Sequence, residues 1–223
     1  MNRDIETPGT TRSAESTRAA LIEAGLKLFG EKGYAATSTR EIAAKAKANI
    51  GSIAYHFGGK EALRDACAEH IVKTVRGFAE PAIMAAPQPT DATAAEEQLC
   101  AAIQRISGFL LASPETAGFV RFILRELQYP TTALDIIYQG VFEPVHKLLC
   151  RFWATATGEE PENEDVKIAV FTMIGQLVYF RIGREAVMRR LNWAELGPDE
   201  TRKITEAVAI NIKAAIAARR SIS

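Results

Sequence analysis

The chain has 223 residues, 48% of them apolar, and carries 27 Lys and Arg against 27 Asp and Glu for a net charge of zero. This length accommodates one large helical domain or a small head on a larger body, and the neutral balance argues against a chain-wide basic coat for nucleic acid. Cys67, Cys100 and Cys150 are odd in number and widely spaced, and His56, His70 and His146 form no i,i+4 ligand pair, so reduced thiols, no metal and no cofactor are expected.

Every segment with a readable pattern has helical period, which predicts an all-α fold. No apolar run approaches the roughly twenty residues of a membrane span, and the polar start MNRDIETPGTTRSAEST lacks the apolar core of a signal peptide. A soluble, cytoplasmic protein without a membrane partner is expected. Residues 1 to about 15 read as disordered. A first helix, opened by Ser16 or Thr17, carries Leu21, Ala24, Gly25 and Leu28 on one stripe with Phe29 beside them, and Gly33 ends it.

The stretch STREIAAKAKANIGSIAYHF, from Ser38 to Phe57, reads as two short helices joined by a tight turn. Ser38 and Glu41 form a capping box, and Ile42, Ala43 and Ala46 give the first helix a small apolar face. Asn49 is the expected cap of the second helix, where Ile53 and Phe57 turn inward and Ile50, Gly51, Ser52, Tyr55 and His56 face outward. That is the layout of a helix-turn-helix, in which the second helix enters the major groove. Thr39 and Lys60, each at a helix start, are expected to grip phosphate; Arg40 could reach a guanine edge and Ile50 a thymine methyl. Gly51 would let the backbone approach, Ser52 could bond to base or phosphate, and Tyr55 and His56 fit phosphate contacts. For His56 the other reading is a helix-end residue that satisfies local backbone groups. Residues 1 to 60 hold nine Lys and Arg against six Asp and Glu, and the rest eighteen against twenty-one, a basic head on an acidic body.

This segment resembles the DNA-binding head of TetR-family regulators, through Thr39, Ile42 and Ala43, then Tyr55, His56, Phe57 and Lys60. Ala54 departs from the pattern, since the family more often has an aromatic residue there. The resemblance implies a three-helix head over residues 1–60 and a larger helical body over 61–223 that binds a small-molecule effector and forms a homodimer through its last two long helices. It further implies a repressor on a palindromic operator in double-stranded DNA, released by an unknown effector.

From Lys60 to about Met84 a long helix carries Leu63, Ala66, Cys67, Ile71, Val75 and Phe78 on one stripe, and APQPTDATA from Ala86 to Ala94 breaks it. Residues 95–112 give another striped helix through Leu99, Ile103, Ile106 and Leu110. Two helices divided near Pro130 follow, the second interrupted around Pro144. Arg121, Arg125 and Glu126 stand among Phe119, Phe122, Ile123, Leu124 and Leu127; they either point to solvent and pair with one another or supply fixed charges to a ligand cavity. The candidate cavity contacts are Arg121, Phe122, Arg125, Phe142, His146, Gln176 and Phe180. This stretch also resembles the body of a TetR subgroup called CerR-like, through its Ile-Leu-Arg-Glu, Pro-Thr and Phe-x-Pro sequences. A helix from Asp165 to Arg190 is apolar over more than half its circumference and so needs cover on two sides. After Pro198 a last helix repeats Ile204, Val208, Ile212 and Ile216.

No Ser/His/Asp arrangement, paired carboxylates, phosphate loop or dinucleotide glycine pattern is readable, so no enzyme is expected. The alternative that Ala54 and the modest head charge leave open is a protein of the same fold that acts through protein contacts without sequence-specific DNA binding.

Overall fold

The computed structural model describes residues 8–79, 87–112 and 116–220. Among the described residues the fold is all-α, with no strand. Four helices open the chain: α1 (Pro8–Lys32), α2 (Thr39–Lys45), α3 (Gly51–Phe57) and α4 (Lys60–Ala79). α5 (Ala92–Ser107) runs into a π-helical turn at Gly108–Ala112, and α6 (Thr116–Gln128) and α7 (Thr132–Ile137) into another at Tyr138–Phe142. The chain ends with α8 (Glu143–Thr157), α9 (Glu164–Ile182), α10 (Arg184–Leu191) and α11 (Pro198–Arg220).

Several boundaries differ from the sequence reading. α1 begins at Pro8, well before Ser16. Proline suits a first helical position, because the N–H it lacks would have no intrahelical partner there. Of the expected disordered stretch, residues 1–7 lie outside the described residues, as does the Met84 end of the connecting helix. The single helix expected over Asp165–Arg190 is two helices, α9 and α10, bent by 78° around Gly183. Among the described residues no single helix is long and apolar enough to cross a membrane, and α9 with α10 is so only as a pair bent by 78°.

The described residues form two compact units. One contains the chain up to Thr74 together with Gly118–Tyr138; the other contains Val75–Ala117 and the chain from Gln139 onward. The expected division at residue 60 therefore differs from the compact units: most of α4, with α6 and α7, groups with the helix-turn-helix.

In the first unit α1 packs on α2 and α3, and Gly25 lets α1 approach α4, since a Cβ there would lie 2.9 Å from Cys67 Sγ. Gly30 does the same for α6: an added Cβ would meet the Phe122 backbone nitrogen at 3.1 Å. The Phe29 and Phe122 rings lie 6.4 Å apart, and Thr132 Oγ1 donates to Asp65 at 2.8 Å. These contacts make α6 and α7 part of the support of the head.

The second unit is built around Leu99, Ile103, Leu149, Phe152, Trp153, Val170, Leu177, Ile204, Ile212 and Ile216 from α5, α8, α9 and α11. The four-residue spacing of Ile204, Val208, Ile212 and Ile216 puts one face of α11 on this core. Its C-terminus is clamped where Arg219 meets Glu159 at 2.6 Å and Arg220 donates to the Ala156 carbonyl. α9 buries Val166, Val170, Met173 and Leu177, while Ile168, Phe171, Tyr179 and Ile182 on its opposite face are exposed. Among the described residues, one apolar side of α9 is thus covered and the other is exposed.

Candidate nucleic-acid interface

The helix-turn-helix is fixed by polar bonds at its corners. Glu41 N–H donates to Ser38 Oγ at 3.2 Å and Ser38 N–H returns to Glu41 Oε2 at 2.8 Å, closing the capping box of α2. Lys32 Nζ reaches the other Glu41 oxygen at 2.7 Å and ties α1 to α2. Thr37, 1% exposed, donates toward the carbonyls of Gly33 at 2.7 Å and Leu28 at 3.2 Å, locking the α1–α2 corner. The turn places Lys47 at φ 54°, a left-handed conformation that glycine or asparagine takes more readily. Asn49 Oδ1 accepts from Gly51 N–H at 2.9 Å, although the N-cap position of α3 itself is Ile50, one residue later than expected, and Gly58 at φ 82° closes α3.

This frame sets the exposure of the α3 side chains. Ile53 is buried at 2%, whereas Ile50 is half exposed and Tyr55 is 82% exposed. Gly51 is exposed, and Ser52 and His56 are half-buried, so Gly51, Ser52, Tyr55 and His56 line one side of α3. Tyr55 and His56 meet edge to face with ring centroids 4.9 Å apart. At the start of α2, Thr39 is half-buried and Arg40 exposed. Lys60 opens α4 with its ammonium 4.1 Å from the Tyr34 ring centroid; partial burial and then the Arg64 charge lower its pKa, against the Glu41 carboxylate. The eight residues expected to meet DNA thus come from two helix starts and one helix of the same unit.

Lys32, and then the Ser38 backbone and hydroxyl, hold the Glu41 carboxyl at about 2, well below its ordinary 4.5. A carboxyl depressed in the fold contributes stability above its unfolded pKa and loses it as pH falls through the folded one. The α1–α2 corner is therefore expected to weaken between about pH 4.5 and 2. Unfolding midpoints of wild type and Glu41→Gln should converge through that window and differ most above it.

The expected ligand residues separate between the two units. In the first, Phe122 is 1% exposed against Phe29, Arg125 Nη2 donates to the Glu31 carbonyl at 3.4 Å, and Arg121 is exposed beside Gly30. Glu126, 5% exposed, accepts from Thr131 Oγ1, and burial raises its pKa. In the second unit Phe142 lies in a π-helical turn and Phe180 is half-buried at the core edge. His146 Nε2 donates to the Lys167 carbonyl at 3.2 Å, which leaves Nδ1 to accept from the Cys150 thiol, and its ring lies 4.0 Å from that of Phe171. Gln176 accepts from Asn211 Nδ2 at 2.8 Å, linking α9 to α11. Among the described residues, no three metal-ligating side chains come together.

Residues 21–67 match the family model described as bacterial regulatory proteins, tetR family. Residues 95–219 match the C-terminal domain of the HTH-type transcriptional dual regulator CecR. The chain belongs to the TetR family. The body expected as CerR-like is that of the CecR group. Over 214 residues the chain is 36% identical to the HTH-type transcriptional dual regulator CecR of Shigella flexneri, covering 93% of this chain and 95% of the relative. The solved structure of a transcriptional regulator from Pseudomonas aeruginosa PAO1 superimposes with a TM-score of 0.64 at 22% identity, over 99% of this chain and 97% of the other. That of FadR from Bacillus subtilis in complex with stearoyl-CoA gives a TM-score of 0.60 at 17% identity, over 86% and 97%. The chain is a DNA-binding transcriptional regulator of the TetR family. Sequence reasoning missed two supports of this TetR head, Thr37 and the Lys32–Glu41 pair, because neither follows from local periodicity.

Proposed function

We propose that this regulator is a repressor that binds a palindromic operator as a homodimer and is released by a small-molecule effector. The observation that carries the reading is the common exposed side of α3 with Arg40 and Lys60 at the two neighbouring helix starts. One such helix reads few base pairs, so two heads on a two-fold site supply adequate specificity. Support for pairing through the last long helices comes from their uncovered faces. α9 exposes Ile168, Phe171, Tyr179 and Ile182; α11 exposes Ile210, with Ala207, Ala214 and Ala217 on the same side.

Effector contacts are proposed in the second unit, at Phe142 and Phe180, with His146 and Gln176 available only if they exchange their present partners. Phe122 and Arg125 instead hold α6 against α1, and Arg121 is exposed beside Gly30. An acyl-coenzyme A is a reasonable first effector to test, because FadR, a protein of similar fold, is bound to stearoyl-CoA. Release requires that the effector favour one of two states, and couplings of about 1–3 kcal/mol are typical.

The test measures binding of the full-length protein to a duplex selected from random-sequence DNA. Arg40→Ala should relax preference at one base pair by about 1–3 kcal/mol, while Lys60→Ala should weaken all sequences alike and lower the salt dependence by about 1 per protomer. Equal affinity of both variants and wild type for every duplex would reject this interface.

A further inference from the structure

Lys60 and Arg64 converge on a single aromatic ring. The Lys60 ammonium lies 4.1 Å from the Tyr34 centroid and the Arg64 guanidinium 4.3 Å from it. Tyr34 follows the glycine that ends α1, and its ring leans on Phe29 at 5.8 Å, so it is carried by the head rather than by α4. Arg64 is only 5% exposed and its Nε has no hydrogen-bond partner among the described residues. The Glu61 carboxylate, 3.8 Å from its Nη2, is largely exposed and offsets little of its charge, and the Glu126 carboxyl, which Arg64 draws toward its charged form, is pushed more strongly toward the neutral form by burial.

A lysine that meets phosphate from solvent must give up the rotamer freedom of four single bonds. One already held over an aromatic face has lost much of that freedom beforehand, through attraction to the ring quadrupole. The buried guanidinium acts in the same direction by a different route. It adds positive potential beside Lys60, so the ammonium is less comfortable alone than with an anion beside it. The α4 N-terminus and its free N–H groups add to that preference.

We propose that Tyr34 is a positioning residue for DNA binding, holding the Lys60 ammonium ready for a backbone phosphate, with Arg64 biasing the pair toward an anion. The proposal rests on the reading of Lys60 as a phosphate contact. Tyr34 need not touch DNA itself. What it supplies is the ring, not the hydroxyl.

The test is a double-mutant cycle in the full-length protein, read by fluorescence anisotropy on a duplex selected by the wild type, at several salt concentrations. Tyr34→Leu should weaken binding about 3- to 10-fold and lower the salt slope toward that of Lys60→Ala. Tyr34→Phe should bind like wild type. Tyr34→Leu combined with Lys60→Ala should be no weaker than Lys60→Ala alone. Wild-type affinity for Tyr34→Leu, or losses that multiply in the double variant, would overturn the proposal. If Lys60→Ala leaves affinity and salt slope unchanged, the phosphate reading itself fails. Should Tyr34→Leu not fold, the Lys60 ε-methylene protons of the wild type decide: a ring-current upfield shift is expected, and its absence overturns the proposal.

Discussion

Phe122→Ala is expected to lower the unfolding free energy of the first unit by about 3–5 kcal/mol. The ring is 1% exposed, lies against Phe29, and sits where α6 crosses α1 at Gly30. With the helices already in backbone contact at that glycine, the site cannot collapse to fill the cavity, which puts the cost in the upper part of the range. Arg121→Ala next to it keeps the Cβ that meets Gly30 and removes only exposed atoms, so it should change stability by less than about 0.5 kcal/mol. Urea unfolding of the two variants, followed by circular dichroism, makes the comparison. DNA affinity of Phe122→Ala should fall with head stability although Phe122 is on α6. A loss below about 1 kcal/mol would mean that the α1–α6 packing is not a support of the head.

Phe171→Asp combined with Ile210→Asp is expected to convert the proposed dimer to a monomer and reduce affinity for the selected DNA site by a factor on the order of 10³. Both side chains are more than half exposed, Phe171 at 62% and Ile210 at 67%, so the change removes little from the core of the chain itself. In a pair of α9 and α11 helices facing their copies, it would place four carboxylates in an apolar seam. Light scattering should report a monomer with unchanged helix content. A variant that stays dimeric and keeps its affinity would locate the interface elsewhere.

Much of the head was legible because its signals are local. Ser38 and Glu41 are three apart, and the capping box they form needs no distant partner. The inward turn of Ile53 and the outward turn of Tyr55 follow from helical period alone. The break at Gly183 was hidden: a lone glycine within a helical pattern costs only about 1 kcal/mol, and helix-forming residues continue on both sides. Lys47 gave no hint of its left-handed backbone, because its residue type is not one that marks such a turn. The neighbours of α6 were invisible for a different reason. Phe119 and Phe122 make the same stripe whether they line a ligand cavity or press on the head, and only the fold pairs Phe122 with Phe29 and Phe119 with His70. The partner of Gln176 likewise depends on which helices meet: Asn211 lies 35 residues beyond it.

Arg40 and the exposed side of α3 are proposed to read bases while Lys60 holds a phosphate, the three forming one DNA-binding surface. The most direct test is anisotropy of the full-length protein on a duplex selected from random-sequence DNA, against a scrambled duplex, at two salt concentrations. Tight binding by one dimer per site is expected, at least about 10³-fold stronger than to the scrambled duplex and falling steeply with salt. Equal, weak binding to both duplexes at both salts would contradict this reading and favour a protein that acts through protein contacts.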